Sequence, residues 1–319
     1  MAIRVLDLFS GGGGSSYGAR AAGAQIVCGV DFWDCAIEAY KANFPKACAV
    51  KLMLDENTSA SALGDIGQID LLLASPECTS HTCARGSRPP VESSRLTARY
   101  VLQFSAELRP RWVVVENVIH MKGWQGYRPL LEALRDQGYF VRIEVLDASR
   151  FGVPQIRKRL FILADRERIP PRIPRQRGRP PSAKTILDPE GTWKSTPLRK
   201  EDRARATIER ADRATAELGK QKPFLIVYYG SDGAGGWQPV NRPLRTVTTL
   251  DRFGLVTWDG KTEMLRMLQV PELTRAMGLG DDFVLDVVKQ RRDRIRILGN
   301  GVAPPVMRAI VETLTRPWY

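Results

Sequence analysis

Four short stretches of the chain put chemically capable residues where strands give way to loops. Val5-Leu6-Asp7-Leu8-Phe9-Ser10-Gly11-Gly12-Gly13 carries an apolar strand pattern straight into a glycine turn, an arrangement that leaves helix-terminal amides facing a ligand. The turn lacks a pyrophosphate-binding glycine spacing, while Asp31 closes a second apolar stretch, Gln25 to Asp31, where a carboxylate can accept both ribose hydroxyls. A nucleoside without a pyrophosphate fits this pair, and Phe32 offers a ring on which an adenine can stack. A tight structural turn followed by a solvated aspartate is the plainer alternative.

Cys78 follows the apolar run Ile69 to Ala74, in Ser75-Pro76-Glu77-Cys78-Thr79-Ser80-His81, and so stands at the carboxyl end of a strand pattern. A thiolate there could attack a bound substrate, although a lone strand-end cysteine also serves as inert packing. Glu116 and Asn117 close the run Trp112 to Val115. A charge ending a buried strand is costly unless it is used, and an Asx-type cap would account for Asn117 by itself. Gln155, Arg157 and Arg159 alternate, which on a strand sends three donors to one side. They would meet a phosphate or a pyrimidine carbonyl there, or simply form a basic solvated face.

The elements that must carry these residues read as strand and helix in alternation. Ile3 to Phe9, Gln25 to Asp31, Ile69 to Ala74 and Trp112 to Val115 are strand patterns. Helical patterns follow through Ala22, over Cys35 to Phe44, about Leu96 to Leu108 and Tyr127 to Gln137, and Phe140 to Asp147 and Arg159 to Ala164 supply the last strands. Such alternation predicts an α/β fold: a doubly wound, mostly parallel, Rossmann-like sheet with helices on both faces. At Arg166 the chain becomes RERIPPRIPRQRGRPPS, an extended basic connector. We therefore expect a first domain over residues 1–165, a smaller second domain over 166–292, and a segment over 293–319 that returns to the first. Within the second, the pattern predicts a charged helix over Arg199 to Leu218 with Ala204, Ile208, Ala211, Thr215 and Leu218 inward. Strands are expected at FLIVYY, Thr246 to Leu250 and Gly254 to Trp258, and helix from Met264 onward.

Composition narrows the partners. In 319 residues, 48 Lys and Arg against 35 Asp and Glu give a net charge of +13, which favours a polyanion, nucleic acid before an anionic membrane. Five cysteines without C-x-x-C spacing and only two histidines signal neither a disulfide framework nor a metal site. An aspartate at position 7 interrupts any leader-like apolar stretch, and no run is long enough to span a bilayer. A soluble protein of a reducing cytoplasm is expected.

Taken together, these motifs resemble the cytosine-C5 DNA methyltransferase family. DLFSGGGG resembles its cofactor-binding first motif, the strand-end Cys78 its nucleophile, Glu116-Asn117-Val118 its ENV motif and Gln155-x-Arg157-x-Arg159 its QxRxR motif. Arg242-Pro243-Leu244-Arg245-Thr246-Val247-Thr248-Thr249 is similar to the segment that organises target recognition, and Gly299-Asn300-Gly301-Val302 to the C-terminal GN-x-V motif. The likeness runs nearly the whole chain in the family's order. One departure is Glu77, where the family usually writes proline; a carboxylate there opposes formation of the neighbouring thiolate.

The resemblance implies S-adenosylmethionine as cofactor and double-stranded DNA as substrate, in a bacterial or phage modification setting that could include a cognate restriction endonuclease and association with the nucleoid. It implies that Cys78 adds to cytosine carbon 6, that Glu116 contacts ring nitrogen 3 and the exocyclic amine, and that Arg157 and Arg159 hold the carbonyl oxygen or a phosphate. Phe9, Gly11, Gly13 and Pro76 would line the cofactor path, Asp31 the ribose, Phe32 the adenine, with Asn300 and Val302 closing the pocket. The base must leave the stack to react. For nucleic-acid contact we expect Arg177 and Arg179 in the connector, Tyr229 and Trp237 flanking a glycine-rich loop, and Arg242. Two competing readings are a tRNA cytosine-C5 methyltransferase and a DNA-binding homologue without catalysis.

Overall fold

The computed structural model describes residues 2–76, 92–229 and 235–317. Strands β1 (Arg4–Leu8), β2 (Gln25–Asp31), β3 (Cys48–Lys51), β4 (Leu71–Ala74), β5 (Trp112–Asn117), β6 (Phe140–Asp147) and β7 (Lys158–Asp165) form one sheet in the order β3-β2-β1-β4-β5-β7-β6. The first five pair in parallel, and β7 runs antiparallel to both its neighbours. Every residue of β4 and β5 is buried, which is why LLLA and WVVV are continuously apolar rather than alternating. The chain steps outward from β1 to β3 and then places β4 on the other flank of β1. At such a reversal the connections leaving the carboxyl ends diverge and open a crevice.

Helices cover both faces. On one, Val101 and Phe104 of α3 (Glu92–Leu108) and Leu130 and Leu134 of α4 (Tyr127–Asp136) pack on Leu6, Leu72 and Val113. On the other, Ala19 of α1 (Gly14–Ala21) and Val306, Met307 and Ile310 of the last helix pack on Val5, Leu71 and Val114. Burying each large aliphatic chain stabilises the fold by about 1.5–3 kcal/mol. Between β2 and β3 lies α2 (Asp34–Asn43), whose Tyr40 is wholly buried. The arginine- and proline-rich connector then runs beside the outer edge of β6, where Arg142 donates to the Pro170 carbonyl and Arg175 Nη2 to the Val145 carbonyl at 3.2 Å.

A second sheet joins β8 (Thr196–Pro197), β9 (Phe224–Val227), β10 (Trp237–Pro239), β11 (Phe253–Asp259) and β12 (Thr262–Met267) in the antiparallel order β10-β9-β11-β12-β8. One face carries α5 (Arg205–Leu218), whose Ala211 and Ala214 meet Phe224, Ile226 and Val256. The other packs on α6 (Val270–Ala276) and α7 (Arg291–Asn300) through Leu225, Leu255, Leu273 and Ile295. The chain closes with α8 (Pro304–Thr315).

The chain departs from expectation in four places. The charged helix starts at Arg205, not Arg199, because Thr196 and Pro197 pair with β12 and the Leu198 amide bonds Glu263 O at 2.8 Å. Its buried stripe is Thr207, Ala211 and Ala214. Thr246 to Leu250 is irregular, its polar groups being taken by Gln155 and Ile156 instead of a strand. Met264 lies in β12, which a tight turn at Gly260 (φ 57°) folds back on β11; helix resumes only at Val270. Gln155 and Arg157 precede β7, so the three alternating donors do not share one strand face.

Candidate active site

The crevice at the β1/β4 reversal gathers residues from six separate stretches. Phe9, Ser10 and Gly11 enter from β1, Asp31, Phe32 and Trp33 from β2, Ser75 and Pro76 from β4, Glu116 and Val118 from β5, Arg159 from β7, and Arg296, Ile297 and Gly299 to Val302 from the C-terminal end. Phe9 holds a left-handed φ of 56°, a conformation costing a non-glycine residue roughly 1–3 kcal/mol. Backbone strain of that size is retained where surrounding structure fixes it, and here it turns the chain at the mouth of the crevice. Asp31 is locked by two amides: Gly11 N donates to Oδ2 and Trp33 N to Oδ1, both at 2.9 Å. Burial lifts its pKa, while those amides and Arg296 oppose the lift. Phe32 is 39% exposed beside it. Ser10 Oγ is buried without a hydrogen-bond partner among the described residues.

Gly13 does not line the crevice. It caps α1 with φ 95°, and a Cβ there would come within 2.3 Å of the Phe44 ring, so its part is to shape the turn from behind. Two lining residues escape a motif reading. Trp33 stacks under the Arg296 guanidinium, 4.5 Å from its ring centroid, and Arg296 lies one helical turn before Asn300 on α7, the spacing that puts two side chains on one face.

Glu116 also lines the crevice and is 6% exposed. Burial raises its pKa against the pull of Arg159 first and Arg157 second. The antiparallel register of β5 and β7 brings Arg159 Nε to 3.1 Å from Glu116 Oε1, too oblique for a hydrogen bond, so the contact is electrostatic. Asn117 Nδ2 donates to Pro76 O at 3.1 Å, and its Oδ1 accepts from Val118 N at 2.8 Å. That side chain ties the end of β5 to the segment leaving β4. Cys78, together with Glu77, lies outside the described residues.

Other expected site residues are placed differently. Arg157 is 2% exposed and does not reach the crevice; its guanidinium donates to the carbonyls of Val247 (3.0 Å), Gly299 (2.7 Å) and Gly301 (2.8 Å). A contact from Arg157 to a pyrimidine or phosphate is thereby corrected: these donors already serve the main chain. Trp237 is 8% exposed in β10 with its ring edge-on to Phe224, so it is a core residue and not a base contact. Tyr229 is half-buried, donates to Thr246 O at 2.9 Å and has its phenol pushed up to about 12 by burial. Arg177, Arg179 and Arg242 are exposed.

A mostly parallel sheet with a topological reversal, a clamped acid ending the second strand and a buried acid lining the same crevice define a Rossmann-like fold, in which such a crevice is the usual place for a ligand. The chain belongs to the C-5 cytosine-specific DNA methylase family, whose model matches residues 3–316. It is 33% identical over 164 residues to the type II methyltransferase M.HgiDI of Herpetosiphon aurantiacus, covering 51% of this chain and 52% of that protein. Against the type II methyltransferase M.XorII of Xanthomonas oryzae the figures are 33% over 184 residues, 54% and 43%. The chain thus spans about half the length of these curated relatives. The type II methyltransferase M.AplI of Arthrospira platensis matches at 26% identity over 331 residues, covering 97% of this chain and 85% of its own. Among solved structures, S. pombe Dnmt2 methyltransferase superposes with a TM-score of 0.70 at 19% identity, covering 98% of each chain. That likeness shows the same fold.

Family membership implies S-adenosylmethionine-dependent methyl transfer, and the crevice is suited to that cofactor. Asp31 keeps acceptor capacity beyond its two amides, Phe32 presents an open ring, and the Ser10 hydroxyl lacks a partner among the described residues. Among the described residues, no group of three or more His, Cys, Asp and Glu could hold a metal ion, and no helix is long and apolar enough to cross a membrane.

Proposed function

We propose that this chain methylates carbon 5 of cytosine in duplex DNA, using S-adenosylmethionine. The observation that carries the reading is convergence: the clamped Asp31 and the buried Glu116–Arg159 pair face one crevice at the sheet's reversal. Asp31 would take the ribose hydroxyls, Phe32 the adenine, and Phe9, Gly11, Pro76, Asn300 and Val302 the rest of the cofactor. When bound, the cofactor supplies an electrophilic methyl group on sulfur.

Cytosine carbon 5 is a poor nucleophile, and covalent attack at carbon 6 makes it enamine-like. In this reading Cys78 is the attacking thiolate. Two residues separate it from Pro76, a span of at most about 7 Å, and Pro76 is tied to Asn117 beside Glu116. Glu116, its proton affinity raised by burial, is fitted to hold a proton against ring nitrogen 3 while accepting from the amine. Arg159 would steady that carboxylate and meet the cytosine carbonyl. Loss of the carbon 5 proton and release of Cys78 then restore the ring.

We place sequence readout in residues 166–292, with 1–165 and 293–319 forming the catalytic part. Exposed Arg177, Arg179 and Arg242 are the proposed backbone or groove contacts. The relatives named type II methyltransferases suggest a bacterial restriction-modification role in the cytoplasm, with a cognate endonuclease as a functional partner. Two measurements test the reading. Labelled cofactor should methylate duplex DNA and not tRNA, and labelling of tRNA alone would make the acceptor wrong. Duplex DNA carrying 5-fluorocytosine should trap a denaturant-resistant adduct that Cys78→Ala abolishes; absence of any adduct from the unaltered protein would favour a binding protein without catalysis.

A further inference from the structure

The segment between β10 and β11 is fastened to the large sheet's last turn. Ile156 N donates to Leu244 O and Leu244 N to Pro154 O, each at 2.8 Å. Gln155 bridges farther, accepting from Val247 N at 2.9 Å while its Nε2 donates to Ala276 O at 2.9 Å. Arg157 completes the joint by holding the Val247 carbonyl on one side and those of Gly299 and Gly301 on the other. Gly299 and Gly301 line the crevice itself. Gly299 is pressed so closely to the same segment that a Cβ would stand 2.3 Å from the Thr248 carbonyl carbon. One buried, planar guanidinium therefore touches both the wall of the cofactor crevice and the strap leading into the small sheet.

We propose that Arg157 is a positioning residue that transmits cofactor occupancy to the strap Val247 to Leu250, and through it to the small sheet. The inference rests on reading the crevice as the cofactor pocket. A ligand that orders Asn300 to Val302 fixes the carbonyls of Gly299 and Gly301; the rigid fork then fixes Val247, because its donors cannot move independently. Lysine cannot reproduce this, since a flexible point charge does not hold three carbonyls in one plane. The small sheet would accordingly be set for duplex DNA only when the methyl donor is in place, and by reciprocity a bound duplex would tighten cofactor binding.

Amide hydrogen exchange of the full chain, with and without saturating S-adenosylhomocysteine, tests this. In the unaltered protein the ligand should slow exchange at Gly11 and Trp33, and also about tenfold at Val247 to Leu250. In Arg157→Lys the crevice amides should still respond, while the strap's response falls below about twofold. Thermal unfolding establishes that the variant is folded. An equal strap response in R157K, or a crevice response without any strap response in the unaltered protein, overturns the coupling. The second outcome needs no variant, so it decides even if R157K does not fold. No protection at Gly11 and Trp33 would instead overturn the cofactor reading of the crevice, and the coupling with it.

Discussion

Glu116 and Glu272 are buried glutamates, and the chain treats them in opposite ways. Glu272, fully buried in α6, accepts from Arg266 through both oxygens at 2.7 Å, from Gln269 N at 2.7 Å and from Asp188 N at 3.0 Å. Glu116 has Arg159 at an oblique angle and, among the described residues, an oxygen without a hydrogen bond. The first pattern repeats around the small sheet, where Glu263 accepts from Arg199 at 2.7 Å through one oxygen and from Thr215 at 3.5 Å through the other. The second repeats at the carboxyl edge of the large sheet, where Asp7 Oδ1 is also buried without a partner among the described residues. A carboxylate whose lone pairs are all spent holds structure together. One left short of donors keeps capacity for something not yet present.

The sharpest way to break this contrast is to neutralise each glutamate in turn. Glu116→Gln should lower methyl transfer by at least about 100-fold with little loss of stability. Glu272→Gln should leave turnover per folded molecule unchanged but strand the Arg266 charge, costing about 3 kcal/mol or more and lowering Tm by roughly 5–10 °C. Steady-state assays paired with thermal unfolding read both, and reversed outcomes would remove the distinction.

Asp7 sharpens the contrast through pH. Burial raises its carboxyl from 3.8 to about 7, with a hydrogen bond from Ser16 Oγ opposing the rise. Because the folded state holds this proton more tightly than the unfolded chain, the group costs nothing below about pH 4. Its penalty grows up to about pH 7 and is constant above. Between pH 5 and pH 8 the unaltered protein should therefore lose on the order of 5 °C more in Tm than Asp7→Asn. Parallel Tm-pH curves would refute the assignment.

The mildest test concerns the small sheet's surface. Arg242→Ala should weaken duplex binding modestly at low salt and make the log-log salt dependence shallower by about 1. An unchanged slope would take Arg242 out of the interface.

How far the residues foretold this arrangement differs between the two sheets. Parallel strands buried on both faces must be continuously apolar, so β4 and β5 announced themselves, and the acids breaking those runs marked the crevice. Asp31, Phe32 and Glu116 were legible for that reason. Arg157 was misread because alternation was projected one turn too early: β7 begins only at Lys158, and what Arg157 binds is main chain far away in sequence. Trp237 carried a surface-like setting of glycines, and only the pairing of β10 with β9 turns its ring inward onto Phe224. Antiparallel strands of two or three residues, such as β8 and β10, are too short to show a period.

The proline-bearing connector beside β6 has a bearing on how the molecule behaves in a crowded cell. An outer strand with unmatched main-chain groups invites a neighbour's strand to add to it, and from there fibres grow. Pro170, Pro171 and Pro174 have no amide hydrogen to offer, so the flanking segment shields the rim without becoming an eighth strand that could itself be extended. The rim of the large sheet is in this way closed to strand addition from that side.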